Sequence, residues 1–374
     1  MSTGFSNTAS GNHALHDNTT GNDNTASGVN ALAFNTTGSF NTAFGADALQ
    51  LNTTGFSNTA FGADALQNNT SGHTNAAFGG NALYSNTTGG NNTASGEQAL
   101  QNNTIGNNNT TSGNAALFFN TAGQENTASG SGALYDNTYG SNNTASGVNA
   151  LNHNSWGNHN TASGVNALYS NTMGDDNIGV GYFALFSNTT GQNNIAIGTK
   201  AGYAVTGNHN IDIGATGSAG ESGIIRIGGA SQSAAYIAGI SSTHLTGSPV
   251  YVGANGQLGV LASSERYKTD IASMGGSTKK LHELRPVSFH LKNDPKGTVQ
   301  YGLIAEEVDK VFPELVIRDN AGTIQGVRYD ELAPMLLNEV QQQGAEIRAL
   351  RKLVVEMQAG LLKLHAKEEL VAQR

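Results

Sequence analysis

The chain has 374 residues, of which 49 are glycine, none is cysteine and only 12% are charged. An ordinary globular domain has roughly a quarter of its residues charged, so this composition excludes a conventional layered enzyme fold along the whole length. The lack of cysteine excludes disulfides and thiolate chemistry. No segment approaches the roughly 18 apolar residues of a membrane span. No basic segment followed by an apolar run stands near Met1, so we expect no signal peptide.

Charge divides the sequence into two unlike parts. Residues 1–200 contain nine acids and a single base, Lys200, whereas residues 263–374 contain sixteen of each. Phosphate binding requires clustered lysine and arginine side chains. The acidic N-terminal part therefore argues against nucleic acid as a partner.

A 17-residue repeat explains the composition of the N-terminal part. Each unit reads roughly Asn-Thr-Ala-Ser-Gly-x-x-Ala-Leu-x-x-Asn-Thr-Thr-Gly-x-x, and a shortened thirteenth unit starts at Asn210. Two glycines per unit predict two tight corners per coil, and such units have poor helix propensity. Disorder is the alternative, but strict spacing and the Ala-Leu pairs favour a β-solenoid. The twelve regular units begin at Asn7, Asn24, Asn41, Asn58, Asn75, Asn92, Asn109, Asn126, Asn143, Asn160, Asn177 and Asn194.

Stacked coils place equivalent residues in ladders. We expect amide ladders from Asn7 and Asn18 with their equivalents, and an inward ladder from the fourth position of the unit, which includes Ser10, Phe44 and Ile197. One coil holds only about five apolar side chains, too few for a thick core. We therefore expect several chains to share a core. The repeats over about residues 4–215 resemble the head region of trimeric autotransporter adhesins, which implies a trimeric β-roll.

Residues 201–262 differ from the repeats and predict a β collar that ends the solenoid. Short runs of β-branched residues alternate there with small ones, and Ala254-Asn255-Gly256 predicts a hairpin turn between two strands. The expected domains are thus a solenoid at 1–200, a collar at 201–262, an α+β domain at 263–335 and a terminal helix at 336–374.

Four ordered motifs mark the C-terminal part. They are Ser263-Ser264-Glu265-Arg266-Tyr267-Lys268-Thr269-Asp270-Ile271, Leu284-Arg285-Pro286-Val287-Ser288-Phe289, Tyr301-Gly302-Leu303-Ile304-Ala305-Glu306-Glu307-Val308 continuing to Phe312-Pro313-Glu314-Leu315-Val316, and Val327-Arg328-Tyr329-Asp330-Glu331-Leu332. In this order and spacing they resemble the intramolecular chaperone auto-processing domain of endosialidase tailspikes and other phage tail fibres.

The resemblance implies a domain that trimerises a fibre, assists its folding and then cuts itself off. It implies Ser263 as nucleophile, Lys268 as base and a scissile bond between Ala262 and Ser263. A serine hydroxyl needs a base to take its proton, and lysine can serve. This chain departs from the family pattern at Ser264 and Tyr267, where an acid and an aliphatic residue are common. The alternative for these residues is the start of a solvated helix with Ser263 as its N-cap.

The last segment has a heptad pattern. Apolar residues, with a few polar residues that a coiled-coil interface tolerates, recur at alternating spacings of four and three residues. This spacing predicts a coiled-coil seam. The alternative is a helix packed on its own domain. Branched residues at one seam position with leucine at the other favour a dimer, whereas the resemblance implies a trimer. The seam residues are Leu336, Val340, Gln343, Ile347, Leu350, Val354, Met357, Leu361, Leu364, Glu368 and Val371.

One position of the repeat drifts towards apolar residues. The residue before the second glycine is Thr or Ser in the first five units and then becomes Ile105, Ala122, Tyr139, Trp156 and Met173. A file of exposed aromatic and apolar side chains is typical of a recognition surface. Packing around a trimer axis is the alternative. We refer to Ile105, Tyr139, Trp156 and Met173 as the aromatic file.

The sequence thus predicts a mainly β fold: a 17-residue-repeat β-solenoid, trimeric, with a C-terminal α+β chaperone domain ending in a coiled coil. The function expected is a tail-fibre-like receptor-binding protein matured by self-cleavage. It would assemble in the cytoplasm and end in a phage or injection-device fibre or outside the cell. The partners expected are two further copies and a cell-surface receptor, with a glycan as one candidate. Neither a cofactor nor a metal is expected, since His13 and His16 lack a third ligand. The alternative is a non-enzymatic surface adhesin or an ice-binding solenoid.

Overall fold

The computed structural model describes residues 3–232, 234–237, 249–253, 256–292, 294–319 and 321–372, with side chains up to residue 366. The chain forms two compact units, Met1–Ile237 and Ala238–Arg374.

The first unit is a β-solenoid whose strands form one sheet of 14 parallel strands, each paired with its neighbour in sequence. Along the regular repeats each strand residue pairs with the equivalent residue of the next unit, so that Thr25 pairs with Thr42 and Ala26 with Ala43. The predicted solenoid is therefore confirmed. The strands are β1 Thr8–Ser10, β2 Thr25–Ser27, β3 Thr42–Phe44, β4 Thr59–Phe61, β5 Ala76–Phe78, β6 Thr93–Ser95, β7 Thr110–Ser112, β8 Thr127–Ser129, β9 Thr144–Ser146, β10 Thr161–Ser163, β11 Ile178–Val180, β12 Ile195–Ile197, β13 Ile211–Ile213 and β14 Ile225–Ile227.

Each coil closes its own interior. In the coil of β6, Ala94, Ala99 and Leu100 are fully buried, and the same three positions are buried in nearly every coil. Asn92 and Asn103 fill the rest of the interior and are also buried. The interior of each coil is filled within the single chain, because buried asparagines take the space that further apolar side chains would fill. The expectation that several chains share a core stays a prediction.

The fourth position of the unit faces outward, contrary to the prediction of an inward ladder. Phe44, Phe61 and Ile197 are exposed by 38%, 40% and 45%. Side chains alternate along a strand, and the narrow interior admits the alanine in the middle of most of the three-residue strands. The flanking residues must then face outward. The rings of Phe44 and Phe61 stack on this outer surface with centroids 4.8 Å apart.

The two asparagine ladders are confirmed. Asn103 Nδ2 donates to Asn86 Oδ1 at 2.8 Å and to the carbonyl of Gly106 at 3.0 Å. In the other ladder, the backbone N–H of Asn92 donates to Asn75 Oδ1 at 3.0 Å. These amides satisfy backbone groups at the corners, which would otherwise be buried without partners.

The corners use glycine for two different reasons. Gly96 has φ of 139°, a conformation that side chains disfavour. The second glycine of the unit is required by close approach instead: a Cβ on Gly106 would collide with the carbonyl of Gly123 in the next coil. The repeated leucine is itself left-handed, with φ between 50° and 54° from Leu15 to Leu185. That conformation costs of order 1–3 kcal/mol, and burial of the leucine side chain, about 1.5–3 kcal/mol, offsets it.

The last two coils are shorter than the repeat. Ile195 pairs with Ile211 and Ile211 with Ile225, so the sheet continues beyond residue 200 to Ile227. Asp212 occupies the middle position of β13, where most coils carry alanine, and is buried.

The described residues of the second unit form three small antiparallel sheets and two α-helices. The hairpin expected around residues 254–256 is present as β15 and β16, although Ala254 and Asn255 lie outside the described residues. Short 3₁₀ helices span Glu265–Tyr267, Gly275–Glu283 and Pro313–Leu315. The remaining elements are β15 Tyr251–Val252, β16 Leu258–Gly259, β17 Val287–Phe289, β18 Gln300–Gly302, α1 Ala305–Val311, β19 Val316–Arg318, β20 Ile324–Val327 and α2 Tyr329–Ala372.

A small core holds α1 against the β19–β20 sheet. Val308, Phe312 and Leu315 are buried there, and Leu332 and Met335 from the start of α2 pack on it. Farther along α2 the apolar residues are exposed: Leu350 by 61%, Leu361 by 55% and the other seam residues to a similar extent. The side chains of Glu368 and Val371 lie outside the described residues. The first turns of the helix thus pack on their own domain, whereas the described seam residues from Val340 to Leu364 are exposed in the single chain.

Candidate functional site

Ser263 and Lys268 lie together at the start of the C-terminal domain. Lys268 Nζ is 3.4 Å from Ser263 Oγ. The turn Glu265–Tyr267 brings them together, since the backbone N–H of Lys268 donates to the carbonyl of Glu265 at 2.9 Å. The geometry places an amine within hydrogen-bond reach of the serine hydroxyl, as a nucleophile and its base require.

The alternative role of Ser263 as a helix cap does not fit this geometry. Ser264, not Ser263, is the N-cap of the 3₁₀ turn, and its side chain makes no capping hydrogen bond. Ser263, Ser264 and Lys268 are all exposed in the single chain. Covering by another surface would favour the neutral amine that a base requires, because burial disfavours a charged lysine.

Contacts among the second, third and fourth motifs hold the domain that follows Ser263 together. Arg285 pairs with Glu307 at 2.5 Å, and hydrogen bonding from this guanidinium lowers the pKa of the Glu307 carboxyl below its ordinary value. The backbone N–H of Leu303 donates to the hydroxyl of Tyr329 at 2.8 Å. The second, third and fourth motifs therefore act as one packed structure, which explains why they occur together.

The segment before the expected scissile bond lines an open cleft of about 960 Å³. Residues 257–261 line it together with Arg318, Asp319, Gln325 and Arg328. Arg318 donates to Asp309 of α1 at 2.5 Å, and Asp319 accepts from the backbone N–H of Thr323 at 2.9 Å. The side chains of Arg318 and Asp319 are therefore held in place beside the segment that precedes Ala262.

The aromatic file is exposed on the solenoid. Ile105, Tyr139, Trp156 and Met173 are exposed by 53%, 47%, 57% and 55%. The rings of Tyr139 and Trp156 stack with centroids 4.3 Å apart. The four residues therefore form a file along the stacking direction that is open to solvent in the single chain.

Asp212 is a buried acid that sequence reasoning missed. Both of its carboxylate oxygens are buried without a hydrogen-bond partner. Burial raises its pKa from 3.8 to about 6, with a further contribution from Glu221, while Arg226 opposes the shift. A signal existed in the sequence, because an acid replaces the repeated alanine in the thirteenth unit.

Within the described ranges, histidine and carboxylate side chains form no group of three or more that could hold a metal ion. None of the described helices is both long and apolar enough to cross a membrane.

Residues 263–317 match a family model described as the chaperone of endosialidase, a family that carries a peptidase name. The match begins at Ser263 and includes the first three motifs. It confirms the resemblance: a chaperone-of-endosialidase segment follows a β-solenoid in this chain. Searches of curated proteins and of solved structures gave no match.

Proposed function

We propose that the chain is a tail-fibre-like protein whose C-terminal domain helps the solenoid to fold and is then released by autoproteolysis between Ala262 and Ser263. The observation that carries the proposal is the 3.4 Å contact between Lys268 Nζ and Ser263 Oγ, at the residue where the family match begins.

The reaction uses the chain's own residues and water. Lys268 takes the hydroxyl proton of Ser263, and Oγ attacks the carbonyl carbon of Ala262. The Ala262–Ser263 C–N bond breaks, and the proton passes to the nitrogen of Ser263, which becomes a free amine. An ester now joins Ala262 to Ser263 Oγ. Water hydrolyses it to a carboxylate on Ala262 and restores the hydroxyl, so each chain reacts once.

The repeat itself creates the need for a folding aid. Because the coils are nearly identical, a strand that pairs one whole unit out of register keeps almost all of its contacts and loses only those at the ends. Register is weakly specified in such a case, and non-local parallel pairing is slow. A domain that fixes where the coils begin to stack would exclude these alternatives.

Self-assembly is part of the proposal. The apolar seam residues of α2 from Val340 to Leu364 are exposed in the single chain, with Val340 at 63% and Met357 at 61%. Apolar rows of this kind are stabilised by pairing with other helices. We propose that the seam holds three copies of the chain together as a homotrimer. In this proposal the same assembly covers Ser263 and Lys268.

Receptor binding is assigned to the aromatic file. Stacked Tyr139 and Trp156, flanked along the file by Ile105 and Met173, offer the large rigid side chains that dominate recognition surfaces. Intact-mass analysis of freshly expressed protein tests the cleavage, and substitution of the file tests the receptor surface.

A further inference from the structure

The outward face of the sheet changes composition near its C-terminal end. Strands β6 to β10 carry Thr at their first position and Ser at their third. In β2 to β13 the middle residue is buried, so the first and third residues face outward. In β14 all three residues are exposed. From β11 to β14 these positions become β-branched aliphatics. We define the isoleucine face as Ile178, Val180, Ile195, Ile197, Ile211, Ile213, Ile225 and Ile227.

Six of the eight side chains of the isoleucine face are exposed in the single chain, whereas Ile195 and Ile211 are half-buried. Ile225 and Ile227 are exposed by 66% and 76%, Ile197 and Ile213 by 45% and 40%. Charged residues on these strands occupy the middle positions instead: Asp212 is buried, and Arg226 pairs with Glu221 at 2.6 Å. The face is thus an uncharged apolar surface four strands wide.

The size of the face suits the centre of an interface. A flat patch of eight aliphatic residues covers on the order of several hundred Å², the size of the largest apolar patches found on monomers. A stable interface buries about 800 Å² on each partner. The face could therefore supply the apolar centre of an interface, with neighbouring residues as its rim.

We propose that the isoleucine face packs against the same face of other copies of this chain. A partner that packs along four strands must repeat its side chains at the strand spacing of about 4.8 Å, and a second copy of the sheet has that spacing by construction. The inference rests on the proposed self-assembly. It also agrees with the α2 seam, a second apolar surface of the chain, whose described residues from Val340 to Leu364 are exposed.

Single cysteines test the contact directly, because the chain contains none. Ile197→Cys reports on the face, and Ser129→Cys is the matched control at the same repeat position on β8. Maleimide labelling of the full chain is followed in reductant, above and below the concentration at which the oligomer dissociates. We expect Ile197→Cys to label at least tenfold more slowly in the oligomer than in the dissociated chain. Ser129→Cys should label at similar rates in both.

A second pair of substitutions measures the energetic role of the face. Ile197→Ser with Ile213→Ser restores the residue that β6 to β10 carry at this position, so the coils should still form. We expect the dissociation constant of the oligomer to rise at least tenfold, while Ser129→Ala with Ser146→Ala leaves it within twofold.

Four outcomes would overturn the inference. Equal labelling of Ile197→Cys in oligomer and dissociated chain, or an unchanged dissociation constant in the serine variant, would remove the face from the interface and leave the proposed function standing. If Ile197→Cys is still protected from labelling in the dissociated chain, the isoleucine face is covered by another part of the same chain. A wild-type protein that is monomeric at every concentration would overturn the proposed self-assembly as well.

Discussion

Lys268 Nζ lies 3.4 Å from Ser263 Oγ across the single turn Glu265–Tyr267. The turn explains the spacing of five residues, because it folds the chain back and brings the amine over the hydroxyl. Tyr267, where the family often has an aliphatic residue, stacks with the guanidinium of Arg266 at 4.7 Å. The departure from the family pattern at Tyr267 therefore leaves the contact between Ser263 and Lys268 in place.

The proposed chaperone role predicts different results for deletion and for release. A gene that ends at residue 262 should give misfolded or aggregated solenoid, because the out-of-register pairings are not excluded during folding. Removal of 263–374 by cleavage after folding should leave a rod that resists heat and denaturant, since its stability is then kinetic. Soluble yield and thermal unfolding measure the difference. Equal yields of folded oligomer with and without residues 263–374 would contradict the role.

The asparagine ladder predicts a large effect from one buried amide. Asn103→Ala removes the bonds to Asn86 Oδ1 and to the Gly106 carbonyl and also an acceptor for Asn120 Nδ2. Buried groups left without partners cost about 1–3 kcal/mol each, so we expect a loss of at least about 3 kcal/mol in urea unfolding. Asn102→Ala is the control, because it removes one half-buried bond to the Phe118 carbonyl, and should cost less than about 1.5 kcal/mol. Similar losses in both variants would count against the ladder.

Asp212 predicts a pH dependence at the end of the solenoid. Its folded-state pKa is raised from 3.8 to about 6 by burial and by Glu221, against the opposing effect of Arg226. The protonated form therefore stabilises the fold. That contribution is complete below pH 3.8 and is lost as the pH rises through about 6. Amide-exchange protection of β13 and β14, corrected for the intrinsic exchange rate, should fall across this window.

Replacement of Asp212 tests the same point. Asp212→Ala restores the residue found in most other coils and should remove the pH dependence, with a gain of about 1–3 kcal/mol near neutral pH from the loss of an unpartnered buried carboxylate. Glu125→Gln, which removes an exposed acid, should leave the profile unchanged. Wild-type protection that is flat between pH 4 and about 7 would contradict the role of Asp212.

The aromatic file predicts a separation of binding from stability. Trp156→Ala with Tyr139→Ala should reduce host-surface binding at least tenfold, because large rigid side chains supply most of the energy of such contacts. The melting temperature of the oligomer should stay unchanged. Phe44→Ala with Phe61→Ala removes another exposed stacked pair and should leave binding intact. A lower melting temperature with binding preserved would assign the file to packing.

The repeat made the solenoid predictable, but not the direction of every side chain. A strict 17-residue period implies in-register stacking, and the asparagines that form ladders could be identified from their positions alone. The orientation of Phe44 could not, because a three-residue strand can place either its middle or its flanking residues inside. The width of the interior decides which residues of the strand face inward. That width is set by Leu49 and the asparagines, which are buried.

The candidate site was predictable through its motifs rather than through local chemistry. A serine and a lysine five residues apart are unremarkable until the later motifs place them at the start of a domain, and the contact of Arg285 with Glu307 shows why those motifs occur together. Leu100 illustrates the opposite case. Its φ of 52° could not be predicted from a residue that seldom adopts positive φ, because burial of the side chain outweighs the local preference.

The most direct test of the account is the intact mass of freshly expressed protein. We expect two fragments, one ending at Ala262 and one starting at Ser263, while Ser263→Ala and Lys268→Ala remain full length and still assemble. Ser264→Ala is the matched control and should be processed like the wild type. A wild-type chain that stays at 374 residues after assembly, or a Ser263→Ala variant cleaved at the same bond, would contradict autoproteolysis by Ser263 and Lys268.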